Sequence, residues 1–196
     1  MKVIPINFAL AKIIYGLYHR TNKPPVGHKL SYVALVGDDW SFLCYADYLE
    51  NISEDWEEDL NDDIRLRHNE DGDAVVYTRG QIIGISTIGR PIARFKDPSV
   101  YEITRICFTD YFKPTSNKER KYPSKFIREC ISDFTQDREV SRIVTYIHDY
   151  QSGRYLEYAG FKKDKHIVYS KNNKGWETRP NRNTSDLTNK FRFVYS

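Results

Sequence analysis

The chain has 196 residues with 30 lysines and arginines against 27 aspartates and glutamates, a formal net charge of +3, and its 40% hydrophobic and 14% aromatic content suffices for one sizeable core. No run of about 18 apolar residues is present, and the N-terminal Met-Lys-Val-Ile-Pro-Ile-Asn lacks the apolar core and small-residue cleavage site of a signal peptide, so the expectation is a soluble cytoplasmic protein with no membrane partner. Cys44, Cys107 and Cys130 are an odd count without a C-x-x-C pair, which argues against a disulfide framework or a structural zinc site and fits a reducing compartment.

In chain order, Asn7 suits the N-cap of a helix from Phe8 to about Arg20, which carries Phe8, Ala11, Tyr15 and Tyr18 at helical spacing. Pro24, Pro25 and Gly27 then make a rigid loop. Ser31 to Val36 and Gln81 to Ile88 read as strands, with turn chemistry at Gly80 and at Gly89-Arg90-Pro91. Between them, Asp47 to Asp73 hold twelve acidic residues against only Arg65 and Arg67, which leaves 28 basic and 15 acidic residues elsewhere, a surplus of 13. The segment is long for a connection inside a compact domain and reads as an acidic insertion, a solvated flap with a helix around Ser53 to Leu60. The basic body suits nucleic acid or a phosphorylated cofactor, and equally an ordinary surface balanced by the insertion.

Tyr101 to Phe108 alternates as a strand does, Pro123 suits the first turn of a helix, and Phe126, Ile127, Cys130, Ile131 and Phe134 recur on one face of it. Strand, loop, amphipathic helix, strand is the order of a crossover between parallel strands. Ile143, Val144, Tyr146 and Ile147 favour the next strand, Ser152 can cap a short helix that stops at Gly160-Phe161, and Lys165 to Ser170 re-enters a strand. Residues 1 to 170 thus form one domain. From Lys171 to Ser196 a basic aromatic extension follows, with Lys171, Lys174, Arg179, Arg182, Lys190 and Arg192 interleaved with Trp176, Phe191, Phe193 and Tyr195. Such a tail either contacts phosphates and stacks on bases or packs its aromatics on the domain, and the second reading is favoured.

The strand, very short helix ending in Gly-Phe and further strand of residues 142 to 170 resemble the closing unit of the GNAT N-acetyltransferase fold. Residues 19 to 28 (His-Arg-Thr-Asn-Lys-Pro-Pro-Val-Gly-His), 89 to 94 (Gly-Arg-Pro-Ile-Ala-Arg), 102 to 107 (Glu-Ile-Thr-Arg-Ile-Cys) and Thr145-Tyr146 with Gly160-Phe161 extend the likeness. Together they resemble a group of phage and prophage proteins described as GNAT-fold acetyltransferases, over most of the chain outside the insertion and the tail. More remotely, the order of elements is similar to the phage Mom proteins, which modify adenine in phage DNA so that host restriction enzymes fail. That link rests on His19, the E-x-x-R at Glu102 and Arg105, Ser124 at a helix start, and Thr145-Tyr146 to Asp149. The resemblance implies a single α/β (α+β) GNAT-like domain whose mixed central sheet, flanked by helices, is splayed between its two middle strands, where donor and acceptor would meet.

It also implies a site. Acyl transfer needs a base, donors for the developing oxyanion and a surface for the donor's phosphates. The helix start at Ser124 and Lys125 can hold an anion through main-chain N–H groups and the helix dipole, with Lys118, Arg120 and Lys121 adding charge and Ile106 and Phe108 bordering the cofactor cleft. The loop from Lys113 to Ser124 has no glycine, unlike the Gly-rich phosphate turn of most GNAT proteins, so the donor is acetyl-CoA or another acyl donor. Glu102 would take the role of the strand base, against the alternative of a salt bridge to Arg105, Arg90 or Arg94. By strand alternation Glu102 and Thr104 face one side and Arg105 the other, where Arg105 needs a structural or ligand partner.

Arg90, Arg94 and Tyr155 are candidate substrate contacts. The tyrosine that many GNAT enzymes use as general acid falls at Leu156 here, so Tyr155 or Tyr158 would substitute only if the helix is rotated. His19, His28, Tyr146 and Asp149 complete the catalytic candidates, an acid/base set whose spacing matches no metal motif, so no metal is expected. Cys107 reads as a small buried hydrophobe, and His68 and His166 as surface residues. Three functions follow: a phage-type transferase acting on an amine, in its most specific form DNA adenine modification with double-stranded DNA as partner; an acetyl-CoA-dependent N-acetyltransferase of a small molecule or protein; and a GNAT-shaped binding protein that engages a host factor without catalysis.

Overall fold

Asn7 opens the first helix as its chemistry demands: its backbone is extended and its Oδ1 accepts the Leu10 N–H at 2.9 Å. The structure is a computed structural model that describes residues 1–19, 27–45, 62–68, 74–91, 95–109, 116–168 and 189–196. Strand β1 (Lys2–Ile6) leads through Asn7 into helix α1 (Phe8–Tyr18), followed by β2 (His28–Tyr45), β3 (Ile64–His68), β4 (Ala74–Gly89) and β5 (Val100–Phe108). Helix α2 (Tyr122–Gln136), β6 (Arg142–His148), the short α3 (Arg154–Tyr158), β7 (Lys162–Ile167) and β8 (Lys190–Tyr195) complete the chain. The sheet runs β1-β2-β4-β5-β6-β8-β7, with β3 added to the side of β4. Every pairing among these strands is antiparallel except β5 with β6, the parallel crossover that α2 makes possible.

Each face of the sheet has its own core. Phe126, Ile127, Cys130, Ile131 and Phe134, the apolar stripe of α2, pack with Tyr32, Ile103, Ile143, Leu156 and Phe193 on one side. Leu10, Ala11, Ile14 and Tyr15 of α1 pack with Val33, Leu35, Ile82 and Ile85 on the other. Burying a phenylalanine or isoleucine side chain is favourable by about 1.5–3 kcal/mol, so these stripes fix which way each helix faces.

Four parts of the chain differ from their sequence outline. Strands β2 and β4 run well past the outlined segments because they continue as a long antiparallel pair through a register shift between Val36 and Trp40, where Gly37 and Gly80 take positive φ. The acidic insertion contains β3, whose Ile64 is buried; the helix expected over residues 53 to 60 lies outside the described residues. Helix α3 is entered through Gly153 in the left-handed conformation, and Ser152 is not its cap. A side chain at Gly153 would press on Phe193 and Ile147, so glycine is required there for packing as well. The basic aromatic tail ends in β8, a sheet strand between β6 and β7 whose Phe193 is buried, while residues 169 to 188 lie outside the described residues. Among the described residues no helix is long and apolar enough to cross a membrane.

Candidate active site

The two middle strands part company. β5 and β6 pair only from Val100 with Arg142 to Ile103 with Thr145, yet β5 continues to Phe108 and β6 to His148. The last rung is locked by the Thr145 hydroxyl, which donates to the Ile103 carbonyl at 3.0 Å. Beyond it, among the described residues, no strand ladders the second half of β5 on that side, so an extended ligand bearing amides can lie along that strand edge.

A bulge sets which side chains face this opening. Thr87 pairs with Arg105 but Ile88 pairs with Ile103, which leaves Thr104 as the extra residue. Ile103 belongs to the α2-side core, so its neighbour Glu102 faces α1; the bulge then brings Arg105 to that same face, beside Thr87. The alternation that put Glu102 and Arg105 on opposite faces therefore fails at Thr104. Glu102 is buried. The Arg105 Nη1 approaches both ring nitrogens of His19, at 3.2 and 3.3 Å, which requires a bare imidazole nitrogen as acceptor.

Across the splay, Tyr146 points to the same α1 side as Glu102. Burial, and then the Glu102 carboxylate, push the Tyr146 phenol above its ordinary pKa, against the pull of Arg192. Arg192 comes from β8, directly opposite Tyr146 in register, and grips Asp164 through Nε at 2.6 Å and through Nη2. Glu102, Tyr146, Arg192 and Asp164 thus form one polar array on the α1 side of the sheet. Arg192 was legible only as part of a basic tail, and nothing in the sequence signals Asp164.

Asp149 is drawn off instead to His166, whose Nε2 is 3.8 Å from its Oδ2. His28 and His19 hold different partners: His28 Nε2 sits 3.1 Å from Ser31 Oγ, and burial holds its pKa below the usual histidine value. Arg90 is exposed in the turn after β4, and Arg94 lies outside the described residues. Cys107 is half-buried with its S–H directed at the Tyr18 carbonyl, 3.2 Å away. Among the described residues no three His, Cys, Asp or Glu side chains group as a metal set.

On the α2 side of the sheet, Phe108 stands edge-on to Tyr155 at 5.8 Å and to Phe126 at 6.3 Å. Leu156 is fully buried and Tyr158 is exposed, so Tyr155 is the residue of this helix that faces the open half of β5. Burial pushes its phenol up to about 12, so it holds its proton at neutral pH. The α2 N-terminus offers fewer main-chain donors than a bare helix end. Tyr122 gives its N–H to the Glu119 carbonyl, Pro123 has none, and the Ser124 hydroxyl turns back to the Lys121 carbonyl at 3.0 Å. Lys125 is paired with Glu129 at 3.4 Å, while Lys118, Arg120 and Lys121 stand at this end of the helix. A separate polar pocket of about 240 Å³, lined by Lys2, Asp38, Asp63 and Arg79 among others, lies at the start of β1 and away from the splay.

No protein-family model matches the chain, and no curated protein matches it significantly. Solved structures do. An IAA acetyltransferase from Bacillus cereus ATCC 14579 aligns over 98% of this chain and 98% of its own, with 13% identity and a TM-score of 0.50. An aminoglycoside acetyltransferase in complex with coenzyme A aligns over 63% of this chain at 16% identity and a TM-score of 0.41, and the present chain spans only 64% of that protein. A GNAT-family acetyltransferase from Bacillus anthracis aligns over 59% of each chain at 12% identity and a TM-score of 0.41. The full-length likeness shows the fold: a mixed α+β domain with a mostly antiparallel central sheet flanked by helices, as in GNAT acetyltransferases.

Proposed function

We propose that the chain is an N-acyltransferase that moves an acetyl group from acetyl-CoA to an amine. The observation that carries this reading is the parting of β5 from β6 after Ile103 and Thr145, which opens a cleft with Glu102 and Tyr146 on one side and Tyr155 on the other. When bound, acetyl-CoA supplies an activated acyl group. Its amide-bearing arm would lie along the unladdered edge of β5, and Lys118, Arg120 and Lys121 would meet its phosphates by charge at the α2 N-terminus, where Tyr122 N–H is engaged and Pro123 has none. In this reading Glu102 accepts a proton from the incoming amine and Tyr155 gives its proton to the departing sulfur. The full-length neighbour of similar fold is an acetyltransferase by name, which supports this reaction class.

The test is calorimetric titration of acetyl-CoA, followed by a thiol-release assay over a panel of amines including polyamines, aminoglycosides and amino acids. Binding plus acetyl-CoA cleavage with at least one amine is expected; absence of acetyl-CoA binding would overturn the proposal and leave a non-catalytic binding protein.

A second reading is the finer one, in which the amine is an adenine of DNA. Lys162, Lys163 and Lys165 are all exposed on β7, and this favours a polyanionic acceptor. A base inside a duplex would have to be flipped out to reach the cleft. DNA affinity that falls steeply with salt, and a modified nucleoside by mass spectrometry of DNA from expressing cells, are its expected results. No binding at low salt would return the acceptor to a small molecule or protein.

A further inference from the structure

Four side chains from three elements form one hydrogen-bonded line through the α1 side of the sheet. His28 Nε2 is 3.1 Å from Ser31 Oγ, Ser31 Oγ 2.7 Å from Thr87 Oγ1, and Thr87 Oγ1 3.0 Å from the Tyr15 hydroxyl. The Tyr15 hydroxyl in turn lies 3.4 Å from the carbonyl oxygen of Arg105. Ser31, Thr87 and Tyr15 have no solvent exposure, so water does not interrupt the line between its ends.

A hydroxyl donates one hydrogen bond and accepts others, so a line of three hydroxyls has a direction, and the end group chooses it. With a hydrogen on His28 Nε2, His28 donates to Ser31, Ser31 to Thr87, Thr87 to Tyr15, and Tyr15 to the Arg105 carbonyl. With Nε2 bare, Ser31 donates to His28, each bond reverses, and Tyr15 gives its hydrogen to Thr87 instead of Arg105. Mutual polarisation along the line favours either whole direction over a mixture.

We infer that His28 is a positioning residue which, through Ser31, Thr87 and Tyr15, decides whether the main chain of β5 at Arg105 receives a hydrogen bond. Arg105 follows the Thr104 bulge, its side chain holds His19, and the strand beyond it borders the cleft, so the line connects the edge of the sheet to the cleft wall. Formation of the imidazolium places a hydrogen on Nε2 and fixes the direction toward Arg105. The Phe8 ring lies against His28 at 4.7 Å with Lys12 over that ring, and Gly89 is the partner of His28 in register; the charged residues adjoining it are Lys29 in sequence and Arg90, whose N–H bonds the Gly27 carbonyl, while Glu102 stands one strand further on, opposite Gly89. The geometric inference stands on these contacts; its consequence for acyl transfer rests on the function proposed above.

The experiment is an NMR titration of the full chain, with the carbonyl carbon of Arg105 and the amide of Ile106 followed from about pH 5 to 8, the range in which a histidine ring titrates. The Arg105 carbonyl should move with the same midpoint as the His28 ring. Thr87→Val should abolish that movement while His28 still titrates, Thr87→Ser should restore it, and Tyr15→Phe, which deletes only a hydroxyl, should abolish it again. A carbonyl that stays still while His28 titrates in the parent chain, or one that keeps moving in both Thr87→Val and Tyr15→Phe, overturns the inference. Acetyl-CoA titration of the same samples separates the two claims: a line that transmits in a chain that binds no acetyl-CoA refutes the proposed function and supports this one.

Discussion

Two glycines should respond to alanine with opposite signs. A β-carbon built on Gly89 would lie 2.6 Å from the main-chain carbon of Gly27 and closer still to its carbonyl oxygen. No rotamer can relieve that contact, because the opposing atoms are backbone. The same Gly27 carbonyl accepts the Arg90 N–H at 2.7 Å, and Gly27 itself is held at a φ of 72°. Making room for a methyl group therefore means moving the start of β2 away from the end of β4. Overpacking of this kind costs about 1–3 kcal/mol, and the strained hydrogen bond adds about 1 kcal/mol, for a loss of about 2–4 kcal/mol. For a chain of this size each kcal/mol lowers Tm by about 2–4 °C, which puts the fall at about 5–15 °C. Gly16 sits exposed in the last turn of α1, where a methyl group would meet nothing within 4 Å, and Gly16→Ala should stabilise by up to about 1 kcal/mol through helix propensity. Urea unfolding and calorimetry of the parent and both variants decide the matter. A Gly89→Ala chain within about 0.5 kcal/mol of the parent, an ordinary surface substitution effect, would refute the claim that β2 and β4 cross at backbone contact there.

Three further outcomes are expected. Phe126→Ala removes a fully buried ring from the α2-side core and should cost about 3–5 kcal/mol, read by the same urea titration. Tyr15, Tyr32 and Tyr155 have phenols raised above the ordinary value of about 10, so the unfolded chain loses those protons first; stability is whole below about pH 10 and falls as pH rises, with Tyr155 alone accounting for up to about 3 kcal/mol by pH 12. Thermal melts from pH 8 to about 12 should show that decline, and its weakening in Tyr155→Phe relative to the parent is the control. Under the proposed function, Tyr155→Phe should keep acetyl-CoA affinity by calorimetry and lose turnover by about 10²-fold or more, and a variant that retains full turnover removes Tyr155 as proton donor.

How much could be read from sequence followed the physics of each element. Helices α1 and α2 announced themselves by an N-cap at Asn7, a proline at 123 and apolar stripes at helical period, all local signals. The parallel crossover followed from the order of elements, and so did the parting of β5 from β6 through the family resemblance. Strand ends did not: β2 and β4 extend each other by long-range pairing, and the polar segment Gly37-Asp38-Asp39 at their bulge looks like a terminus in one dimension. In the site, Glu102 with Tyr146 and Arg105 with His19 were among the named candidates. The residues not named as site candidates, Ser31, Thr87, Arg192 and Asp164, are ordinary alone and acquire meaning only from register, which places Thr87 beside Arg105 and Arg192 beside Tyr146.

The Thr104 bulge makes the general point within one strand. In a regular strand the residues of an E-x-x-R motif lie three apart and so on opposite faces, which reads Glu102 and Arg105 as belonging to different environments. One extra residue restores the same face, and a buried carboxylate and a guanidinium then flank the cleft together. The bulge also increases local twist just where pairing with β6 ends, so the feature that gathers the side chains is the one that helps open the space they face. Deleting Thr104 would return Arg105 to the α2-side core, where an unpaired guanidinium is prohibitively costly. The bulge is for that reason a condition of both the fold and the site, and the four-residue motif has chemical meaning only because the strand that carries it is irregular.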